Sequence, residues 1–329
     1  MICIPIVAER QSEALQMIQR CAGLADVLEL RMDLVSDGNL KELMGAVRSA
    51  SSGVKILVTN RRVQDSWATD EILATVAPEA KDKSPLSPPL LKGGNKTVSL
   101  FAKGVNKIVS PLAREKNIII PPLTEGGNLR GSLRENKRIP PLAKGGMGGF
   151  GGYPSEKERI GVLLEAVSLG ADYVDIELET AEAWRKKICA MIASRGSRAA
   201  LIVSHHDFLR TPSRKTLIGI FNESVQAGAS IVKIVTLARA PGDNLTVLGL
   251  IPYARRRKKD IIAFCMGEEG KISRVVAPLL GAFFTFASLK RGAESGAGQL
   301  TINEMRQIYR ILGGSMKISP DPSLPKRGK

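Results

Sequence analysis

Eight short runs rich in β-branched and aliphatic residues recur along the chain, at 2–8, 27–30, 56–59, 173–176, 201–204, 231–235, 261–265 and 283–286. Helical patterns separate most of them. Residues 11–21 carry Ala14, Leu15 and Ile18 at helical spacing, and Ser155-Glu156-Lys157-Glu158 reads as a capping box that opens a helix closed by Gly170. Another helix is expected from Pro212 to about Gln226, ended by Gly228, with two more over 244–256 and 301–311. Strands that alternate with helices must pair in parallel, and near-continuous apolar strands suit a sheet buried on both faces. Eight such units favour a closed (β/α)₈ TIM barrel over an open sheet.

One stretch breaks the pattern. Between Lys81 and Ser155 the chain holds 13 Lys and Arg against 4 acids, with 12 of its 32 Gly and 9 of its 18 Pro. An imperfect repeat runs through it: Ser87-Pro-Pro-Leu-Leu-Lys-Gly-Gly94, Ile120-Pro-Pro-Leu-Thr-Glu-Gly-Gly127 and Ile139-Pro-Pro-Leu-Ala-Lys-Gly-Gly146. Pro-Pro blocks helix and Gly-Gly adds chain entropy, so these units are expected to be mostly disordered. The organisation read from this is one barrel over 1–62 and 150–312, an insertion at 63–149 between strand 3 and helix 3, and a basic tail at 313–329. Most of the net charge of +16 therefore belongs to the insertion and tail rather than to the barrel. Gly146-Met-Gly148-Gly-Phe-Gly151 matches a dinucleotide-binding glycine pattern, but no strand precedes it.

The four cysteines have no C-x-x-C or metal-ligand spacing, which points to a reduced, cytoplasmic protein without a metal site. The longest uncharged run, from Val275 to Leu289, is shorter than the ~20 residues of a membrane span and contains Pro278 and Gly281, so no membrane association is expected.

Barrel chemistry gathers at the carboxyl ends of the strands, and there the apolar runs give way to polar residues. Glu29, Arg31 and Asp33 follow one another at alternate positions, as do Asp175 and Glu177; Arg61 follows strand 3. They form either interior salt bridges or a cavity that binds hydroxyl groups. Lys233 is embedded in Ile-Val-Lys-Ile-Val, where it is either a desolvated nucleophile toward a carbonyl or the partner of a barrel carboxylate. The two histidines, His205 and His206, are adjacent, so at most one faces the barrel interior as a general acid/base. Arg274 opens a helix after strand 7, suited to gripping a carboxylate, and Ser295 and Gln299 lie in a Gly-rich loop able to close over the same ligand.

Taken in order, Ala25-Asp-Val-Leu-Glu-Leu-Arg-Met-Asp33, Val58-Thr-Asn-Arg61, Gly170-Ala-Asp-Tyr-Val-Asp-Ile-Glu177, Ser204-His-His-Asp-Phe208, Val232-Lys-Ile234, Gly270-Lys-Ile-Ser-Arg274 and Ser295-Gly-Ala-Gly-Gln299 resemble the type I 3-dehydroquinate dehydratases. The resemblance implies a Schiff-base dehydration of 3-dehydroquinate to 3-dehydroshikimate in the shikimate pathway, without metal or diffusible cofactor. It implies Lys233 as the imine-forming residue and His206, rather than His205, as the general acid/base. It likewise implies Arg274, Ser295 and Gln299 at the substrate carboxylate and closing loop. Glu29, Arg31 and Arg61 then fall at the ring hydroxyls, with Asp175 and Glu177 as supporting carboxylates, and the protein as a homodimer. Two departures stand out. The family's acid after strand 3 is replaced by Met147 if Gly148-Gly149 is the family's Gly-Gly, or kept as Asp65 if spacing from Arg61 decides. Ala297 stands where proline is common.

Two other readings compete. A class I aldolase also uses a strand 6 lysine in a barrel. A barrel inactivated by its insertion is the other; nucleic-acid binding by its basic segment is disfavoured because residues 81–155 offer only Phe101, Phe150 and Tyr153 for base stacking.

Overall fold

The computed structural model describes residues 1–62, 155–194 and 196–313, within the unit formed by Met1–Glu79 and Gly151–Lys329. The insertion, Asp65, Met147, the glycine pattern at 146–151 and the tail beyond Gly313 lie outside the described residues.

The eight strands are β1 (Ile2–Ile6), β2 (Val27–Arg31), β3 (Lys55–Thr59), β4 (Tyr173–Glu177), β5 (Ala200–Asp207), β6 (Ile231–Leu237), β7 (Asp260–Met266) and β8 (Thr285–Phe286). All pair in parallel, in the order β7-β6-β5-β4-β3-β2-β1-β8. The remaining seam is bridged just before β8, where the Phe283 N–H donates to Ile261 O at 2.8 Å. This is the (β/α)₈ barrel the alternation predicts.

Around the strands lie α1 (Gln11–Cys21), α2 (Leu40–Ala50), α3 (Glu156–Ser168), α4 (Glu182–Ser194), α5 (Arg214–Gln226), α6 (Pro241–Leu248), α7 (Leu250–Arg256), α8 (Lys271–Leu279) and α9 (Ile302–Ile311). The capping box expected at Ser155 opens α3, with the Ser155 hydroxyl accepting from Glu158 N and the Glu158 carboxylate accepting from Ser155 N. Gly228, with φ of +94°, follows α5 in the left-handed region where a Cβ is disfavoured. The single helix expected over 244–256 is two helices. Pro252 has no N–H to offer Leu248 O, and its ring would crowd that carbonyl, so the chain re-nucleates after Gly249. Of the strand expected over 283–286, Thr285 and Phe286 are in register with β1, and Phe283 meets β7 through the bond to Ile261.

Alternation along each strand sorts side chains into two layers. In β4, Val174 and Ile176 pack under the helices, while Tyr173, Asp175 and Glu177 point inward; in β6, Val232 and Ile234 face out and Ile231, Lys233 and Val235 face in. Cys3, Val27, Leu57, Tyr173, Ile202 and Ile231 floor the barrel with apolar side chains. The charged residues sit one and two steps farther along the same faces, at the carboxyl end. None of the described helices is long and apolar enough to cross a membrane.

Candidate active site

Period-2 alternation places Glu29 and Arg31 on β2, Asp175 and Glu177 on β4, His206 on β5 and Lys233 on β6 at the carboxyl end of the barrel interior. A cavity of about 250 Å³ opens there. Its wall includes Glu29, Arg31, Arg61, His206, Lys233, Arg274, Ser295 and Gln299, so the eight residues singled out for chemistry or binding surround one space. Asp175 and Glu177 do not line it; they lie beneath, holding the cations that do.

Lys233 is 4% exposed, and its Nζ donates to Asp175 Oδ2 at 2.9 Å. Lys233 is therefore both buried and paired with a barrel carboxylate. Asp175 also accepts from Arg61 Nη2 at 3.0 Å and from the Ser204 hydroxyl at 2.6 Å, and Arg61 Nη1 donates to that hydroxyl at 2.8 Å. Burial alone would push the Asp175 carboxyl up, but Arg61 and then Lys233 hold it below the ordinary carboxylate range. The Phe286 ring, 4.6 Å from Nζ, completes the cradle.

His205 and His206 part as strand geometry requires. His205 turns outward to Glu179, with Nδ1 and Oε1 2.5 Å apart. His206 turns into the cavity and stacks on Phe208 at a centroid distance of 5.7 Å. Burial, reinforced by Arg61 and Lys233, holds the His206 imidazole well below its usual range. It is therefore neutral near pH 7, the form that accepts a proton. Protonation then favours the unfolded chain, so the His206 contribution lowers stability as pH falls through about 6.5. Urea titrations of the wild type and His206→Asn are expected to show a shallower acid loss of stability in the variant; parallel curves would refute this.

Arg274 lies on α8 with 2% exposure. Its Nη2 donates to Ala297 O at 2.9 Å and its guanidinium carbon lies 4.5 Å from the Phe264 ring centroid. Burial pulls it down to about 10, still charged at neutral pH. Its Nε and the Gln299 Nε2 are buried without a hydrogen-bond partner among the described residues. Gln299 Oε1 accepts from Ser295 N at 2.8 Å, which shapes the loop over the cavity. Gly298 holds that loop against Gly267: its φ is +74°, and a Cβ would meet Gly267 O at 2.1 Å. Buried donors around a cationic head make a socket for an anion.

Arg31 is gripped by Asp33 through two bonds of 3.0 and 2.6 Å, and Glu29 accepts from the Thr59 hydroxyl at 2.7 Å. Ser204, Phe264 and Phe286 were not among the expected site residues. Ser204 shares the inward face with His206, a signal that period 2 carries; the two rings could be found only once β7 and β8 were in place.

A model of the type I 3-dehydroquinase family matches residues 2–73 and 146–316. The chain belongs to the type I 3-dehydroquinase family. The match leaves 74–145 outside, a stretch within the 63–149 read as an insertion, and includes Asp65. The 3-dehydroquinate dehydratase of Desulfotalea psychrophila is 38% identical over 169 residues, covering 51% of this chain and 72% of that protein. The Methanosarcina mazei 3-dehydroquinate dehydratase is 34% identical over 184 residues, covering 55% and 75%. The fold resembles the crystal structure of 3-dehydroquinate dehydratase from Geobacillus kaustophilus, with a TM-score of 0.62 and 21% identity, over 96% of this chain and 92% of that one.

Proposed function

We propose that this type I 3-dehydroquinase dehydrates 3-dehydroquinate to 3-dehydroshikimate through an imine on Lys233, with His206 moving the proton. Arg274 carries the reading. A buried guanidinium with, among the described residues, an unbonded N–H and no carboxylate beside it calls for an anionic ligand, and the substrate brings one carboxylate.

With the carboxylate at Arg274 and Gln299, the ring ketone reaches toward Lys233 and the hydroxyls toward Glu29, Arg31 and Arg61. The lysine amine adds to the ketone carbon, and the carbinolamine loses water to leave a protonated imine. The imine draws electrons and acidifies the adjacent C–H; neutral His206 takes that proton. The resulting enamine expels the neighbouring hydroxyl as water, using the proton held on His206. Hydrolysis of the imine then releases product and restores the amine. Asp175 keeps the amine aimed into the cavity. The chemistry requires no metal or diffusible cofactor.

Borohydride reduction in the presence of 3-dehydroquinate tests the reading: a substrate-derived mass increment on Lys233 is expected, and folded protein without an adduct would sink it. Arg274→Leu is expected to raise KM by about 10²-fold, since a charge-assisted bidentate contact is worth a few kcal/mol. An unchanged KM would remove Arg274 from the carboxylate site. As organisation and partners, the reading takes a barrel over 1–62 and 150–312, an insertion at 63–149, a tail at 313–329, a cytoplasmic homodimer and no nucleic acid.

A further inference from the structure

Five charged side chains alternate in sign from α3 to the centre of the barrel. Arg159 Nη1 lies 2.8 Å from Glu177 Oε2, and Glu177 Oε1 lies 3.5 Å from Arg61 Nη1. Arg61 Nη2 lies 3.0 Å from Asp175 Oδ2, the same oxygen that meets Lys233 Nζ at 2.9 Å. Arg159 is outside the cavity wall and 3% exposed. We propose that Arg159 is a positioning residue for the reaction, acting on the Lys233 amine through Glu177, Arg61 and Asp175.

Two further observations support the assignment. All five guanidinium donors of Arg159 are engaged: Nε and Nη2 with Glu156 at 2.7 and 2.9 Å, Nη2 also with the Thr180 hydroxyl at 3.0 Å, and Nη1 with Asn60 O and Glu177, both at 2.8 Å. Such a fork has no conformational slack, and lysine cannot reproduce it. Asn60 also donates back to Arg159 O at 3.2 Å, so Arg159 fixes the backbone one residue before Arg61 as well as the carboxylate that shares Arg61.

The consequence for Lys233 follows from how the charges are shared. Arg61 divides its guanidinium between Glu177 and Asp175 because Arg159 already serves Glu177. Without Arg159, Glu177 draws Arg61 toward itself, and Asp175 is left to hold the Lys233 ammonium more tightly. The other ionisable groups facing Lys233 are Cys3 from β1, Glu29 and Arg31 from β2, His206 from β5, Arg274 from α8 and Glu294 from the loop after β8. None of these touches Arg159.

The inference rests on the imine reading, since the free amine is the nucleophile. Its test is the pH dependence of borohydride trapping and of turnover with 3-dehydroquinate in the full-length chain. In Arg159→Met the pH of half-maximal trapping is expected to rise by about one unit, as weakened sharing of a carboxylate implies. At fixed neutral pH, kcat should fall about tenfold to match that shift, with KM nearly unchanged. Removing both outer charges, in Arg159→Met with Glu177→Gln, should return the midpoint toward the wild-type value. A lower melting temperature with an unmoved midpoint would make Arg159 structural only and overturn the proposal, as would a double variant that shows no return. If Arg159→Met does not fold, Arg159→Lys decides: a smaller upward shift supports the proposal and an unmoved midpoint overturns it. A wild-type protein that forms no adduct overturns the imine reading, and this inference with it.

Discussion

Lys233→Met is expected to abolish the borohydride-dependent adduct and to lower kcat by about 10⁴–10⁶-fold, the scale of loss when a covalent nucleophile is removed. The protein should remain folded. The variant keeps the aliphatic stem that fills the barrel, and it does not orphan Asp175, which retains the Arg61 guanidinium at 3.0 Å and the Ser204 hydroxyl at 2.6 Å. Loss of activity and loss of structure are thus separable. Mass spectrometry after reduction, steady-state turnover and a melting curve measure the three quantities. Retained turnover in a folded variant would remove Lys233 from the chemistry.

Asp175→Leu should have the largest effect on stability, about 3–5 kcal/mol, because removing one partner of a buried ion pair leaves uncompensated charge. Asp175 is 1% exposed and serves two cations at once. Arg61 would keep Glu177, but Lys233 would keep only the face of Phe286 among the contacts described. A buried lysine without its carboxylate escapes the penalty by losing its proton. The destabilisation of Asp175→Leu should therefore shrink as pH rises from neutral into the alkaline range. Combining it with Lys233→Met should recover about 1–3 kcal/mol, the coupling expected of contacting residues. Urea midpoints at two pH values measure both. Additive losses would mean that the pair is not coupled.

Much of the barrel is legible in local pattern alone. Runs such as Ile231–Leu237 are apolar on both faces and lie between capped helices, and that pattern admits few architectures. The same period explains how adjacent histidines separate, with His205 turned to Glu179 and His206 to the cavity. Which of the two faced inward was open from position alone. It depended on the register of β5 against β6, where Ser204 pairs with Lys233 and His206 with Val235. The helix expected over 244–256 failed for a local reason, since Pro252 removes a bond that the apolar spacing takes for granted.

From the sequence alone follow the alternation of strand and helix, the two-residue period that parts the faces of each strand, and the polar residues at the carboxyl ends. These follow from local periodicity and from the cost of burying unpaired polar groups. Only the tertiary structure decided which charge meets which. Lys233 and Asp175 are 58 positions apart, and Arg61 and Asp175 are 114. Arg159 reaches across 99 positions to the carbonyl of Asn60. No local pattern encodes such pairings, because they arise when barrel closure brings β3, β4 and β6 around one axis. Sharing two carboxylates among three cations is therefore a property of the closed barrel, and it sets how firmly the amine of Lys233 is held.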